Sequence, residues 1–499
     1  MKKIFTPLIL LGLFFTSKAQ INDLERTSPE SEGIKSETVQ SLFDKLTTIP
    51  NAEIHSIMVL RHGKVIGEVY PTPFSAEYKH TIYSCSKTFV AAAVGIAIDE
   101  NRLRLDDRVA PFFTKDLPMT ISDELADMTI RDLLTMSAGI APDWNMRNLR
   151  KDWAKGYFSK KLTSPGKAFK YDSLCTYILS AIIQKVTGKT LLEYLKLRLF
   201  EPMNIWDIAW EVSPEGYNTG GWGLYIQPES MAKFGQLLLN KGEWAGQQLI
   251  SKEWIETMMT RQIEAGRDDY GYQIWMCDYA DAWRADGAYG QYIIVVPQKD
   301  MVVVVTQCCM ANAQNQRNII WRTLLDNAGN TPLTPGKAYS KLLQRQKEYS
   351  YPTIKGNETS WKASAINGKT INLSKNALNW KSIKLSFGKN ELTATITDMT
   401  GALSTVKAGY GKWLTSALGN YPPYSIKAIG RYKGLKNDFH SAASYAWDRS
   451  GSTLGIKVHF VDWISALGIT LRFEDLNKVN VEIKANYESK PYIITGNII

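Results

Sequence analysis

The 499-residue chain is poor in cysteine and histidine, with five of each. The cysteines are odd in number and form no Cys-x-x-Cys pair, which argues against a disulfide framework and favours small, buried hydrophobic side chains. The histidines never stand at the spacing of metal ligands, so we expect no metal site. We also expect no cofactor.

Long apolar runs are missing after the first twenty residues. Residues 1–19 begin with basic residues, continue with a short apolar run and end in Ser17-Lys18-Ala19, a small-x-small cleavage pattern. This combination is typical of an export signal, and its apolar run is too short to span a bilayer. No cysteine follows the cleavage site to carry a lipid anchor. We therefore expect a periplasmic or secreted protein without a transmembrane segment.

Charge of one sign is not concentrated anywhere in the chain. The formal net charge is +10, and the lysines are scattered through both halves. A nucleic-acid partner is disfavoured, because such proteins gather their basic residues on one face. A loose attraction to an anionic cell envelope stays open, and the sequence leaves the oligomeric state undetermined.

Apolar periodicity predicts an α/β domain over residues 20–328. A hairpin pattern surrounds the His62-Gly63 turn, helical patterns run from Ser84 to about Gly246, and apolar strands return at 291–296 and 301–306. Strands at both ends that enclose a helical middle predict one antiparallel sheet flanked by helices, with an inserted helical subdomain.

The remaining sequence has a different character. Residues 329–356 are rich in Pro, Lys and Tyr and predict a linker. Residues 357–499 alternate apolar with polar residues between turn signals, which predicts a small all-β sandwich or barrel. Because each part can bury its own core, we expect the β-rich domain to be separable, and we predict no catalytic role for it.

A candidate nucleophile stands at the start of an apolar helix. Ser84 and Lys87 lie one helical turn apart, so the amine can reach the hydroxyl. A serine needs a base, and burial together with the positive helix N-terminus disfavours the charged form of a lysine. The uncharged run Phe89 to Ile98 supplies that burial. Taken alone, this stretch fits catalysis and a plain helix start equally well.

Two further segments could complete a hydrolase. Tyr171 follows the Pro165-Gly166 turn just before a helix, where a phenol could relay a proton if Lys87 lowers its pKa. The alternative is an aromatic side chain that packs under the helix start. The glycine-rich segment 286–291 leads into a strand, and one of its backbone N–H groups could join that of Ser84 in an oxyanion hole. Without context, this segment is only a turn.

Together these segments resemble a known superfamily, that of class C β-lactamases, penicillin-binding proteins and related esterases. The resemblance covers about residues 25–326 and is greatest for the branch containing 6-aminohexanoate-dimer hydrolase. It is carried by Tyr83-Ser84-Cys-Ser-Lys87, Leu133-Leu-Thr-Met-Ser-Ala-Gly139, Phe169-Lys-Tyr171, Phe200-Glu-Pro-Met203, Gly220-Gly-Trp-Gly and Gly290-Gln-Tyr-Ile-Ile-Val-Val-Pro297.

This resemblance implies a β-lactamase/transpeptidase-like fold and an acyl-enzyme chemistry. Ser84 would be the nucleophile, Lys87 the general base and Tyr171 the proton relay. The oxyanion donors would be the backbone N–H groups of Ser84 and Gln291. The implied substrate contacts are Ser173, Trp222, Tyr289 and Gly290.

Two departures from the superfamily pattern bear on the substrate. Ser173 stands where an asparagine is usual, and Ala288 stands where β-lactamases carry a cation for the substrate carboxylate. Because alanine makes no charge-assisted bond, we expect a small neutral ester or amide as substrate. The alternatives are a β-lactamase or D-alanyl-D-alanine carboxypeptidase, and a non-catalytic penicillin-binding-like sensor or binding module.

Overall fold

A computed structural model describes residues 23–426 and 432–499, so the export signal expected at 1–19 lies outside the described residues. The first domain is built on a six-stranded antiparallel sheet that joins both ends of the domain. Across the sheet the strands are Lys64–Val69, Ala52–Arg61, Met301–Cys309, Gln291–Val296, Trp283–Gly287 and Trp275–Met276. The predicted α/β fold is confirmed.

The central strands are apolar on both faces because helices cover both sides of the sheet. All nine residues of Met301–Cys309 are buried. On one face, alternate residues pack against helices Ser36–Thr47, Ala313–Thr323 and Lys337–Glu348. On the other face they pack against the helical insert, which includes Pro228–Leu239.

The insert lies between strands Lys64–Val69 and Trp275–Met276. Its other helices are Ser86–Asp99, Asp123–Asp127, Ile130–Leu134, Trp153–Phe158, Ser173–Thr187, Leu191–Leu195 and Lys252–Met258. A small sheet of His80–Thr81, Leu224–Ile226 and Ala209–Trp210 and a hairpin of Glu243–Trp244 and Gln247–Gln248 complete it. Asp123–Asp127 and Ile130–Leu134 are separate helices, because Thr129 and Asp132 form a capping box that starts the second one.

The C-terminal domain is a ten-stranded β-barrel, one of the two architectures predicted. The parallel pairing of Leu403–Tyr410 with His440–Trp447 closes it. The other strands are Thr370–Leu373, Trp380–Gly388, Glu391–Asp398, Leu414–Ala417, Thr453–Phe460, Ala466–Phe473, Lys478–Ala485 and Tyr492–Ile498, preceded by helix Trp361–Ile366. In the described residues, no helix is both long and apolar enough to cross a bilayer.

The segment predicted as a linker contains a docked helix. Helix Lys337–Glu348 packs on the first helix of the chain, where Arg345 and Tyr349 bond to Asp44 at 3.1 and 2.7 Å. Leu342 is buried in the same contact. Residues 329–356 are therefore not a simple spacer, because their apolar face is covered by the first domain. The separation of the two domains by proteolysis stays a prediction.

Three of the five histidines form a buried cluster between the two domains. His55 and His80 belong to the first domain, and their Nδ1 and Nε2 atoms lie 2.8 Å apart. His459 belongs to the barrel, and its Nδ1 lies 3.0 Å from Glu53 Oε1 of the first domain. Burial lowers the pKa of His55 and lowers that of His80 well below the usual 6.5.

This cluster predicts that acid lowers the thermal stability of the protein at pH values well above those at which carboxylates titrate. Below about pH 6.5 the unfolded chain binds protons at His55 and His80 that the folded protein excludes, so the free energy of unfolding falls. Lowering the pH from about 7.5 to about 5.5 should reduce Tm by about 2–5 °C. The double variant His55→Gln, His80→Gln should lose most of that shift, and an unchanged shift would contradict the assignment.

Candidate active site

Ser84 lies in a tight turn, Tyr83–Cys85, that leads into the buried helix Ser86–Asp99. The preceding residue, Tyr83, has a φ of 45°, a left-handed conformation that costs a non-glycine residue roughly 1–2 kcal/mol. Lys87 Nζ donates to Ser84 Oγ at 2.9 Å, as the helical spacing predicts. Lys87 is only 1% exposed, because the helix that carries it is buried on all sides.

The surroundings of Lys87 favour its neutral form. Burial, the largest cause, lowers its pKa to about 7. Nζ also donates to Ser173 Oγ at 2.8 Å and to the Gly221 carbonyl oxygen at 2.6 Å. A neutral amine has two N–H donors and one lone pair. With Gly221 and Ser173 as acceptors, the lone pair is left for the Ser84 hydroxyl, so Lys87 can accept its proton.

A glycine is needed for one of these contacts. A Cβ atom built on Gly221 would lie 2.5 Å from the Ser173 carbonyl oxygen. Only glycine lets this segment approach helix Ser173–Thr187 closely enough to bring its carbonyl group to Lys87. Gly221, of the Gly220-Gly221 pair, is therefore needed to bring a hydrogen-bond acceptor to Lys87.

Tyr171 reaches the same place from another element. Its ring stacks on Trp275 with centroids 5.6 Å apart and lies 4.9 Å from Lys87 Nζ. The predicted relay is conditional on Lys87 lowering the pKa of this phenol, and that condition is not met. Burial raises the pKa of Tyr171 above its usual 10, opposed by a hydrogen bond with Ser84. Tyr171 is thus a neutral phenol, which can donate one proton while it accepts another.

The structure contradicts the oxyanion donor predicted at Gln291. This residue lies on the strand Gln291–Val296, the third strand from the Trp275–Met276 edge of the sheet, and is fully buried. Its carbonyl oxygen accepts from the Cys85 thiol at 3.2 Å. The strand Trp283–Gly287 lies between it and the cavity at Ser84. Gln291 is therefore a structural residue behind the site.

Ala288 occupies the place that was assigned to Gln291. It directly follows the strand Trp283–Gly287 and lines the cavity together with Ser84. This strand can come close because Gly287 has no side chain: a Cβ atom there would lie only 2.3 Å from the carbonyl oxygen of Ile82, two residues before Ser84. The backbone N–H of Ala288 is therefore a better candidate than that of Gln291 for the second oxyanion donor.

Of the four predicted substrate contacts, two line the cavity. Tyr289 and Gly290 do so, with left-handed φ angles of 63° and 84°. Ser173 is 2% exposed and bonds to Lys87 instead. Trp222 is also buried, and its Nε1 donates to Glu211 at 3.2 Å. Both are therefore supports of the site.

The cavity over Ser84 has a volume of about 630 Å³. Its walls include residues that the sequence did not indicate: Trp144, Arg147, Ala265, Arg267, Asp268, Trp275, Arg284 and Ile426. Arg284 donates to both Asp268 and Asp286 at 2.8 Å, so its charge is compensated. The cavity thus contains cations although Ala288 carries none.

The pKa of Lys87 predicts the pH dependence of turnover. If the neutral amine is the base, kcat/KM should rise as the pH increases through about 7 and then reach a plateau, because only the unprotonated fraction accepts the Ser84 proton. The measurement is kcat/KM for a chromogenic ester between about pH 5 and 9. A rate that falls over this range would contradict Lys87 as the base.

Among residues 23–426 and 432–499, no group of three or more His, Cys, Asp or Glu side chains could hold a metal ion.

The site consists of a serine, a buried amine, a phenol and a backbone amide at one cavity. Together with the α/β fold, this defines a serine hydrolase of the β-lactamase and penicillin-binding protein type.

Comparison with known proteins identifies the family. The sequence profile of the Beta-lactamase family matches residues 39–325, more than half of the chain, and the protein belongs to this family. The chain is 24% identical over 280 residues to 6-aminohexanoate-dimer hydrolase of Paenarthrobacter ureafaciens. The aligned region covers 50% of this chain and 71% of that protein.

Solved structures share the fold at low identity. A putative 6-aminohexanoate-dimer hydrolase from Bacillus anthracis superimposes with a TM-score of 0.51 at 20% identity, over 61% of this chain and 87% of that one. A penicillin-binding protein homologue from Caulobacter crescentus gives a TM-score of 0.50 at 16% identity, over 58% and 97% of the two chains.

Proposed function

We propose that the protein is an exported serine hydrolase that cleaves a neutral ester or amide through an acyl-enzyme on Ser84. The observation that carries this proposal is the 2.9 Å contact between Ser84 Oγ and Lys87 Nζ, an amine whose pKa is lowered to about 7. At that pKa about half of the amine is a free base at neutral pH.

In acylation, neutral Lys87 takes the Ser84 proton as Oγ attacks the substrate carbonyl carbon. The N–H groups of Ser84 and Ala288 stabilise the oxyanion. As the tetrahedral intermediate collapses, Tyr171 gives its proton to the departing alcohol or amine and recovers one from Lys87. A water molecule then attacks the acyl carbonyl carbon and gives a proton to Lys87 and Tyr171. The bond between the acyl carbon and Ser84 Oγ breaks, which releases the acid, and Oγ takes that proton back.

The proton relay predicts a defect for Tyr171→Phe. The ring can keep its stacking on Trp275, but the leaving group loses its proton donor, so kcat should fall at least about a hundredfold. An amide should be affected more than an activated ester, because its leaving group needs the proton more. Steady-state kinetics on a matched amide and ester test this, and a change confined to KM would mean that Tyr171 only binds substrate.

The preference for a neutral substrate is supported by two residues of the cavity wall. Ala288 adds no cation, and Arg284 is held between two carboxylates. The test is a pair of probes on purified protein, a fluorophosphonate and a labelled penicillin. If the fluorophosphonate labels the protein and the penicillin does not, the proposal is supported. Labelling by penicillin supports a β-lactamase or carboxypeptidase, and labelling by neither supports a non-catalytic module.

The location and partners are proposed from the sequence. Residues 1–19 would direct export, and the mature protein would begin at Gln20 in the periplasm or outside the cell. The partner is a small-molecule substrate, without nucleic acid or cofactor. N-terminal sequencing of protein recovered from the periplasm and from the medium tests both the cleavage site and the compartment.

A further inference from the structure

The turn that carries Ser84 is packed against the C-terminal barrel. The hydroxyl groups of Tyr83 and Ser425 lie 2.8 Å apart, although the two residues are separated by 342 positions in the chain. The Tyr83 ring also packs against Trp463, with centroids 5.7 Å apart. Trp463 is fully buried, and Tyr83 belongs to the same hydrophobic cluster as the barrel core.

Tyr83 is not an ordinary neighbour of the nucleophile. The peptide bond between Tyr83 and Ser84 carries the Ser84 N–H, so the backbone conformation of Tyr83 sets the direction of that donor. Its φ of 45° is unfavourable for a side chain of this size, and such a conformation persists only where the surroundings fix it. Those surroundings include the barrel residues Ser425 and Trp463.

The same barrel segment also reaches the substrate cavity. Ile426, next to Ser425, lines the cavity together with Ser84 and Tyr289. Tyr289 in turn contacts Tyr83, with ring centroids 5.6 Å apart. The barrel therefore meets the site at two places, the nucleophile turn and the cavity wall.

We propose that the barrel is a working part of the active site, in which Ser425 is a positioning residue that holds Tyr83 and thereby aims the Ser84 N–H and hydroxyl at the substrate. This inference rests on the proposed function. It replaces the expectation that the C-terminal domain has no catalytic role.

Two single substitutions and their combination test the contact. Ser425→Ala and Tyr83→Phe each remove one hydroxyl, and both should lower kcat about tenfold while KM changes less than about twofold, because a misaligned oxyanion donor weakens only the transition state. The double variant should be no slower than either single variant, since both remove the same bond.

Lys433→Met is the matched control. Lys433 also joins the barrel to the first domain, where its Nζ donates to the Ser213 carbonyl oxygen at 3.2 Å, but it does not contact the nucleophile turn. This variant should keep the wild-type kcat. If all three single variants lose kcat in proportion to their loss of Tm, or if none loses kcat, the positioning role of Ser425 is overturned.

A fluorophosphonate label on the wild-type protein separates this inference from the proposed function. Without labelling at Ser84 in the wild type, the proposed function itself fails. With labelling in the wild type and an equal labelling rate in Ser425→Ala, only the positioning role fails. A labelling rate reduced about tenfold in Ser425→Ala, with Lys433→Met unchanged, supports it.

Discussion

Ser84→Ala is expected to reduce turnover at least about ten-thousandfold and to leave the fold intact. The substitution removes the group that forms the acyl-enzyme, while Lys87 keeps its bonds to Ser173 and Gly221. Alanine is also well tolerated at a helix start. The measurements are kcat on a chromogenic ester, the mass shift after treatment with a fluorophosphonate, and Tm.

Ser56→Ala is a suitable control for this prediction. Ser56 is buried in the central sheet, where its hydroxyl lies 2.6 Å from that of Thr306, away from the cavity. This variant should lose stability and keep its fluorophosphonate label. If Ser84→Ala keeps substantial activity, or still takes up the label at an unchanged rate, Ser84 is not the nucleophile.

Lys87→Met should lower kcat by about a hundred- to ten-thousandfold, the range for the loss of a general base. Methionine fills a similar volume in the buried helix but cannot accept the Ser84 proton. The rise of kcat/KM through about pH 7 should disappear with it, because the titrating amine is gone. The pH profile of the residual activity is therefore as informative as its size.

The chain offers a second buried lysine as a control for Lys87→Met. Lys233 is 3% exposed, and its Nζ donates to the backbone carbonyl oxygens of Met203 and Asn204. Lys233→Met removes a second buried lysine away from the cavity, so kcat and its pH dependence should stay as in the wild type. An equal loss of kcat in both variants would mean that Lys87 acts through stability alone.

The parts of the site that sequence predicts best are those fixed by local geometry. Ser84 and Lys87 meet because a helix brings positions three apart to one face, and that rule needs no other part of the chain. The antiparallel sheet and its helical insert follow similarly from the order of periodic segments. The barrel could be predicted only as one of two all-β forms, because closure depends on pairing between distant strands.

The proposed donor at Ala288 was missed because it depends on which strand lies beside the nucleophile turn. Gly287 and Gly290 both fit a glycine-rich strand motif, and local pattern does not distinguish them. Gln291 pairs with Gly287, and the earlier strand, Trp283–Gly287, lies beside Ile82 and the nucleophile turn, so the proposed donor is Ala288. The role of Ser425 had no local signal at all, since it comes from a contact between two domains.

The sheet of the first domain pairs strands from both ends of the domain, and this order limits how fast the chain can fold. Ser56 and Thr306, side by side in the sheet, are 250 residues apart in sequence. Such long-range pairing closes a large loop before it gains any contacts, so folding is slow compared with a local hairpin. As the chain folds, the apolar strand Ala52–Arg61 must wait for Met301–Cys309 before its second edge is paired. Until then, that open edge is a place where other chains can attach.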